Sequence, residues 1–416
     1  MAQAKHTRGR FIQRPQGFDM LAAMARPPPE VLKSGAAHRE YLKQFLARGF
    51  KALAELERLD LMQAELDASL SGEATAARLP GLGHERSAKL LAACVAEPSL
   101  LSAVYWVVCA GALLGEPLAP ELAECTLRFV LDCWRTEGGF APHPQHELGL
   151  LSTLSAVQLL LLMGRSELLG PDGACPGEVV LGYVHSLRLP DGSFRGRRAE
   201  ASEGDCRFVY AALNAMELLR GPAVAAEERS ELRQTADWLL RCQNPDGGFG
   251  CRPDGACESH AGHTFCCLAG LTLAGGLQRL GIRERKRLVR WLCDRQCAGG
   301  GLNGRPGKAP DACYTWWTLA STELLRAGIA EGGGPVPALA DLYALAELRK
   351  FVASCACHTG GVAAHPGDDP DPFHTFFGLA GLSLLEAAAG GEDGAARWLG
   401  RISPLWALPV GLVPVR

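Results

Sequence analysis

Two kinds of apolar pattern alternate along the chain. Segments such as CTLRFVLDCWR, GEVVLGYVHSLR, RQTADWLLRCQ, RKRLVRWLCDRQ and LRKFVASCA carry apolar residues at three- and four-residue spacing with charges between them. That is the pattern of a helix with one wet face. Segments such as LLSTLSAVQLLLLMG, CRFVYAALNAMELLRG, HTFCCLAGLTLAGGL, CYTWWTLASTELLRAG and FHTFFGLAGLSLLEAA are more uniformly apolar. A helix that is hydrophobic all round belongs inside, so the pattern predicts an inner layer of apolar helices wrapped by half-polar ones. LLSAVYWVVCAGALLGE, from Leu100, is a sixth helix of the inner kind. No stretch shows strand periodicity.

A glycine turn separates each outer helix from the inner helix that follows. TEGGF, PDGSF, PDGGFG, GGGLNG and TGGVA place Gly138, Gly192, Gly247, Gly300 and Gly360 at steps of 54, 55, 53 and 60 residues, which marks an internal repeat. Six such helix pairs closed on themselves make an all-α protein, an α6/α6 (α/α) barrel, although an open solenoid satisfies the same period. If the chain enters every inner helix at the same end, the residues after the turns meet at one mouth. Those are Arg207, Glu258, His260, Arg305, Lys308, Asp311, Cys313 and His374.

Composition narrows the field. Lys+Arg 42 against Asp+Glu 45 in 416 residues gives a net charge of −3, so nothing points to a polyanionic partner such as nucleic acid. The sixteen cysteines contain no C-x-x-C, and many sit in apolar helices as small hydrophobes, which fits a reducing compartment. The most apolar stretches fall short of the ~18 residues of a membrane span. The chain divides into a disordered basic, Pro-rich tail (1–35), an N-terminal helical extension (36–99), the barrel (100–390) and a C-terminal tail (391–416).

Asp311 and Cys313 in D-A-C, with His374 one repeat later, offer oxygen, sulfur and nitrogen donors. Three protein ligands with a fourth position open is the pattern of a catalytic zinc. The same residues also read as a helix cap after Pro310, a core thiol and an interior imidazole. His260, Arg305 and Lys308 suit a diphosphate, because charge-assisted donors bind its oxygens and offset charge on a leaving group. Tyr314 adds a donor. Trp316, Trp317, Phe373, Phe377 and Tyr210 make the inner helices aromatic near their starts, which in a barrel describes the wall of a lipid-sized lumen.

DGGFGCRPDGACESHAGHTFCC, GGLNGRPGKAPDACYTWWTLAS and PGDDPDPFHTFFGLAGLSLLE resemble the β subunits of the protein prenyltransferases, the Rab geranylgeranyltransferase type in particular, with likeness running from about Leu100 to about Leu385. The resemblance implies one zinc per β subunit on Asp311, Cys313 and His374, and a catalytic diphosphate site of His260, Arg305, Lys308 and Tyr314. It implies a lipid pocket including Ser102, Leu154, Tyr210, Trp317, Phe373 and Phe377, with Ser102 and Leu154 leaving room for a C20 isoprenoid. It further implies an obligate α subunit, geranylgeranyl diphosphate as donor, a Rab GTPase presented by an escort protein, and a cytoplasmic enzyme.

Arg207 matches an arginine that lies near the peptide carboxylate in relatives reading a CaaX tail; a local ion pair with Asp205 or Glu203 is the other reading. Two features depart from the family pattern. The loop before His260 is two residues longer, and Ala364 stands where a magnesium-associated carboxylate is expected, with Asp368 or Asp369 as substitutes, so magnesium is left undecided. Rival readings are a CaaX-type geranylgeranyltransferase, a terpene-cyclase-like barrel, for which DDPD is only a permutation of the D-x-D-D acid, and a noncatalytic scaffold.

Overall fold

The computed structural model describes residues 35–47, 99–198, 203–220, 226–334, 336–388 and 399–413. The expected tail over 1–34 and the stretch 48–98 of the expected extension lie outside them, as do 389–398 and 414–416.

Six helices are of the inner kind: α2 (Leu100–Leu113), α4 (Leu150–Leu162), α6 (Cys206–Arg220), α8 (Ala261–Leu273), α10 (Tyr314–Glu331) and α12 (Pro372–Ala388). Six are of the outer kind: α1 (36–47), α3 (Pro120–Asp132), α5 (Gly177–Ser186), α7 (Ala226–Arg241), α9 (Ile282–Cys293) and α11 (Leu345–Ser354). Burial follows the sequence pattern. In α8 every residue from Thr264 to Leu271 is buried, whereas α9 buries Leu288, Trp291 and Leu292 and leaves its charged face wet. Each inner helix packs on two inner neighbours and α12 packs back on α2, so the ring is closed and the open solenoid is ruled out.

The glycine turns explain the spacing. All five repeat glycines have φ between +88° and +101°, a region that L side chains rarely adopt. A Cβ on any of them would fall within 3.0 Å of backbone in the next outer helix, at Val179, Gln234, Arg287, Glu347 and Ala37 in turn. Each turn thus presses its bare α-carbon onto the following helix. The strands that periodicity did not show are two residues long, Trp134–Arg135 against Gly139–Phe140, with single bridges at the same place in later repeats. They are the stems of these turns and too short to leave a period-two pattern. Thr153, Thr264 and Thr375, near the starts of α4, α8 and α12, accept the amides of Phe140, Phe249 and Val362 at 2.9 to 3.1 Å and tie the stems to the inner ring.

The fifth glycine, Gly360, corrects the sequence reading of residues 36–47. Its turn rests on Ala37 of α1, His38 Nδ1 accepts the Gly361 amide at 3.0 Å, and Tyr41 Oη donates to Pro370 O at 3.1 Å. Leu42 and Leu46 are buried one turn apart. Helix α1 is therefore the outer helix that completes the ring rather than an appendage to it.

The expected C-terminal tail also differs. Over 399–413 it crosses the far end of the ring, where three inner helices hold its carbonyls. Tyr105 Oη donates to Ala407 O at 2.6 Å, Gln158 Nε2 to Trp406 O at 3.0 Å, and Tyr210 Oη to Leu405 O at 2.9 Å. Trp406 and Leu408 are buried beneath the ring. Among the described residues no helix is long and apolar enough to cross a membrane.

The turns give a stability test. Gly247→Ala meets both a forbidding φ and the Arg287 backbone, whereas Gly255→Ala, at φ +70° with nothing within 4 Å, meets only the first. Strain at one such φ costs about 1–3 kcal/mol. Chemical denaturation is expected to show Gly247→Ala the less stable of the two by at least about 1 kcal/mol.

Candidate active site

Asp311 and Cys313 lie at the start of α10, and His374 lies in the first turn of α12, so neighbouring inner helices deliver them to one mouth. The ligand atoms of all three fall within 4.8 Å of one another. Asp311 Oδ1 accepts the Cys313 amide at 2.8 Å, and the Ala312 amide donates to Ala364 O at 3.0 Å, fastening this loop to the turn before α12. His374 Nε2 stands 3.3 Å from Asp311 Oδ2. On its other side Nδ1 is 2.6 Å from Asp371 Oδ2, while Asp371 Oδ1 accepts the His374 amide at 2.9 Å.

The electrostatics follow from this placement. Burial opposes a charge on His374, but hydrogen bonds from Asp311 and Asp371 outweigh it and hold the imidazole at about 9. Burial likewise opposes the Asp311 carboxylate, yet hydrogen bonds from His374 and Cys313 keep it below its ordinary value. Burial, and then Asp311, push the Cys313 thiol well above its usual range. Two carboxylates and a thiol converging on one imidazole make a site that favours added positive charge. Oxygen, sulfur and nitrogen donors, with a carboxylate behind the histidine fixing its tautomer, are a set that zinc takes. Asp371 escaped the sequence reading, although a carboxylate three residues before a histidine at a helix start was a legible cap signal.

His260 caps α8. Its Nδ1 accepts the Gly262 amide at 3.1 Å, which leaves Nε2–H facing Tyr314 Oη at 3.2 Å. Burial first, then His263, Arg305 and Arg207, push its pKa down to about 4, so the ring is a neutral donor. Burial, with Cys313 and Asp311 opposed by Arg305, raises the Tyr314 hydroxyl to about 12. Arg305 sits at the rim in an ion pair with Glu258, and Lys308 is exposed; among the described residues neither lines the cavity. Arg207 does line it, and is clamped through Nε and Nη2 by both oxygens of Asp205 at 2.9 and 2.8 Å, the local ion pair foreseen as one of its two readings.

A cavity of about 500 Å³ runs from Asp311, Cys313 and His374 down to Ala407. Ser102, Leu154, Tyr210, Trp317, Phe373 and Phe377 all line it. Trp317 and Phe377 stand 4.4 Å apart between ring centroids, and Phe373 meets Phe377 at 4.7 Å and Trp106 at 5.1 Å. Ser102 and Ser155 share a hydrogen bond of 3.0 Å, which satisfies two hydroxyls in a mostly apolar wall. His263 and Ala407 also line it and were not foreseen. A histidine one turn after His260 was legible; a small residue far along an apparent tail was not. Asp368 is exposed and paired with His365 at 3.0 Å, and neither it nor Asp369 is among the lining residues.

A closed ring of six helix pairs, with chemistry at one mouth and an apolar lumen behind it, defines an α/α toroid. Residues 86–408 match the family described as the prenyltransferase alpha-alpha toroid domain, and the chain belongs to that family. It is 38% identical over 288 residues to the geranylgeranyl transferase type-2 subunit beta of Saccharomyces cerevisiae, covering 68% of this chain and 81% of the relative. The protein farnesyltransferase subunit beta of Schizosaccharomyces pombe is 31% identical over 68% of this chain and 70% of its own length. Among solved structures, Candida albicans protein geranylgeranyltransferase-I complexed with GGPP superposes with a TM-score of 0.61 at 20% identity, over 80% of this chain and 93% of that one, a likeness of fold.

Asp371 can be tested apart from any ligand. Asp371→Asn keeps a capping side chain but removes one of the two charges facing His374. In metal-free protein, imidazole NMR is expected to show the His374 titration falling from about 9 by roughly one unit or more; an unchanged titration would refute the role given to Asp371.

Proposed function

We propose that the chain is the catalytic β subunit of a zinc-dependent protein geranylgeranyltransferase. It moves a C20 isoprenoid from geranylgeranyl diphosphate to C-terminal cysteines of Rab-type GTPases. The observation that carries this reading is the convergence of Asp311, Cys313 and His374 at the mouth of an apolar cavity of about 500 Å³ that ends at Ala407. The likeness to a type-2 β subunit along most of the barrel supports the Rab substrate, an α subunit as obligate partner and an escort protein that presents the substrate, in the cytoplasm. The catalytic domain is 100–390, completed by α1 and by 399–413.

Zinc on Asp311, Cys313 and His374 would supply a Lewis acid that favours the thiolate form of an incoming cysteine near neutral pH. Asp371 holds His374 with Nε2 toward Asp311. His260 Nε2–H and Tyr314 Oη are neutral donors for diphosphate oxygens, and such preformed donors stabilise charge as it develops on a leaving group. Arg305 and Lys308 bring positive charge at the rim, Arg305 by exchanging Glu258 for a phosphate oxygen. Trp106, Trp317, Phe373 and Phe377 exclude water from the lipid, and Ser102 and Leu154 keep the wall open for a fourth isoprene unit. Magnesium has no carboxylate at residue 364, so transfer is expected to depend little on it.

A CaaX-type geranylgeranyltransferase is the second reading, favoured by Arg207, which lines the cavity with its side chain 54% exposed. Two experiments test the proposal. Co-expressed with a prenyltransferase α subunit, the chain is expected to transfer C20 in preference to C15 to an escorted Rab, and not to a CaaX peptide. Cys313→Ala is expected to lose metal and transfer together, by more than the roughly 10–100-fold that loss of an outer partner costs; full transfer by this variant would end the reading.

Metal uptake also has a pH signature. His374, held at about 9, and Cys313, held higher, are both protonated at neutral pH, and ligation needs both deprotonated. Zinc loading is therefore expected to release protons, and apparent affinity to rise with pH by up to about tenfold per unit per proton released, as read by chelator competition between pH 6 and 9.

A further inference from the structure

The loop before His260 reads CRPDGACESH, and its extra length has a chemical result. Asp254 at φ +64° and Gly255 at φ +70° reverse the chain, bringing Cys257 back onto Cys251. The Cys251 thiol donates to the Cys257 sulfur at 3.1 Å. We propose that Cys251 and Cys257 form a reversible disulfide site, a dithiol that exchanges with small disulfide oxidants of the oxidised-glutathione class.

Geometry, access and reactivity agree. A disulfide bond is about 2.05 Å long, so the sulfurs need to approach by about 1 Å. Both ends of the loop are anchored close to the pair: the Cys206 amide donates to Cys251 O at 3.0 Å, and Asn244 Nδ2 donates to Cys257 O at 2.9 Å. Both cysteines are partly exposed, whereas Cys206, Cys242, Cys266 and Cys267 are buried and out of an oxidant's reach. Among the described residues the one cluster of three or more donors fit for a metal is Asp311, Cys313 and His374, so this pair lacks the further ligands of a metal site. Burial and the hydrogen bond to Cys257 raise the Cys251 thiol to about 12, so it keeps its proton and the first attack is assigned to Cys257, the sulfur at the accepting end of that contact.

The step balances as a two-electron exchange. The Cys257 thiolate attacks one sulfur of the oxidant, breaking its S–S bond and releasing one thiolate. Cys251, giving up its proton as it attacks, displaces the second from Cys257. The protein dithiol is oxidised, the oxidant is reduced to two thiols, and these carry off the two protons. The crosslink adjoins Glu258, the partner of Arg305, and stiffens the approach to His260. It stands independently of the catalytic reading.

The test titrates the full-length protein with oxidised glutathione, alkylates the remaining thiols and maps them by mass spectrometry. Alkylation of Cys251 and Cys257 is expected to fall together by about tenfold or more, with one peptide linking them and dithiothreitol restoring both. In Cys251→Ser, a lasting glutathione adduct is expected on Cys257. The proposal is overturned if both stay alkylated while an exposed reference thiol oxidises, if wild-type Cys257 keeps a stable adduct, or if the link joins other cysteines.

Discussion

The contact between a bare glycine α-carbon and the backbone of the next outer helix sets the geometry of the whole ring. It recurs at Gly138, Gly192, Gly247, Gly300 and Gly360, each time with a φ that excludes ordinary side chains and no room for a Cβ. Because the turn cannot back away, each inner helix starts at a fixed height relative to its neighbour. The loops ahead of α8, α10 and α12 therefore end side by side, and His260, Asp311, Cys313 and His374 meet although 114 residues separate the first from the last.

What is brought together there is also tuned there. One histidine lies between two carboxylates and is held charged, while another, a short way round the mouth, caps its helix, is buried beside cations and is held neutral. The first environment suits a cation, the second a donor to an anion. The separation arises from the groups that each helix start places beside its imidazole, carboxylates in one case and cations in the other, not from the imidazoles themselves.

Much of this was legible in the chain. The alternation of wet and dry helices with an even glycine step carries the toroid, since both signals come from local periodicity. D-x-C and the histidine of PFH were visible because their spacing coincides with the repeat. Features that depend on distant partners were not. Nothing near residues 36–47 says that Gly360 rests on them, and PLWALPV reads as a tail until Tyr105, Gln158 and Tyr210 are seen to hold its carbonyls. Arg207 carried two meanings in sequence, and only the placement of Asp205 showed the ion pair.

The crossing segment 399–413 changes the topology of the empty space. A ring of helices alone is a pipe, open at both ends; with Ala407 across it, the lumen becomes a well with a bottom. Tyr105, Gln158 and Tyr210 also turn their polar atoms downward onto that bottom and leave mostly carbon along the shaft. The last few turns of the polypeptide thus act as a yardstick for whatever slides in, drawn by a stretch of sequence far from the helices that form the walls.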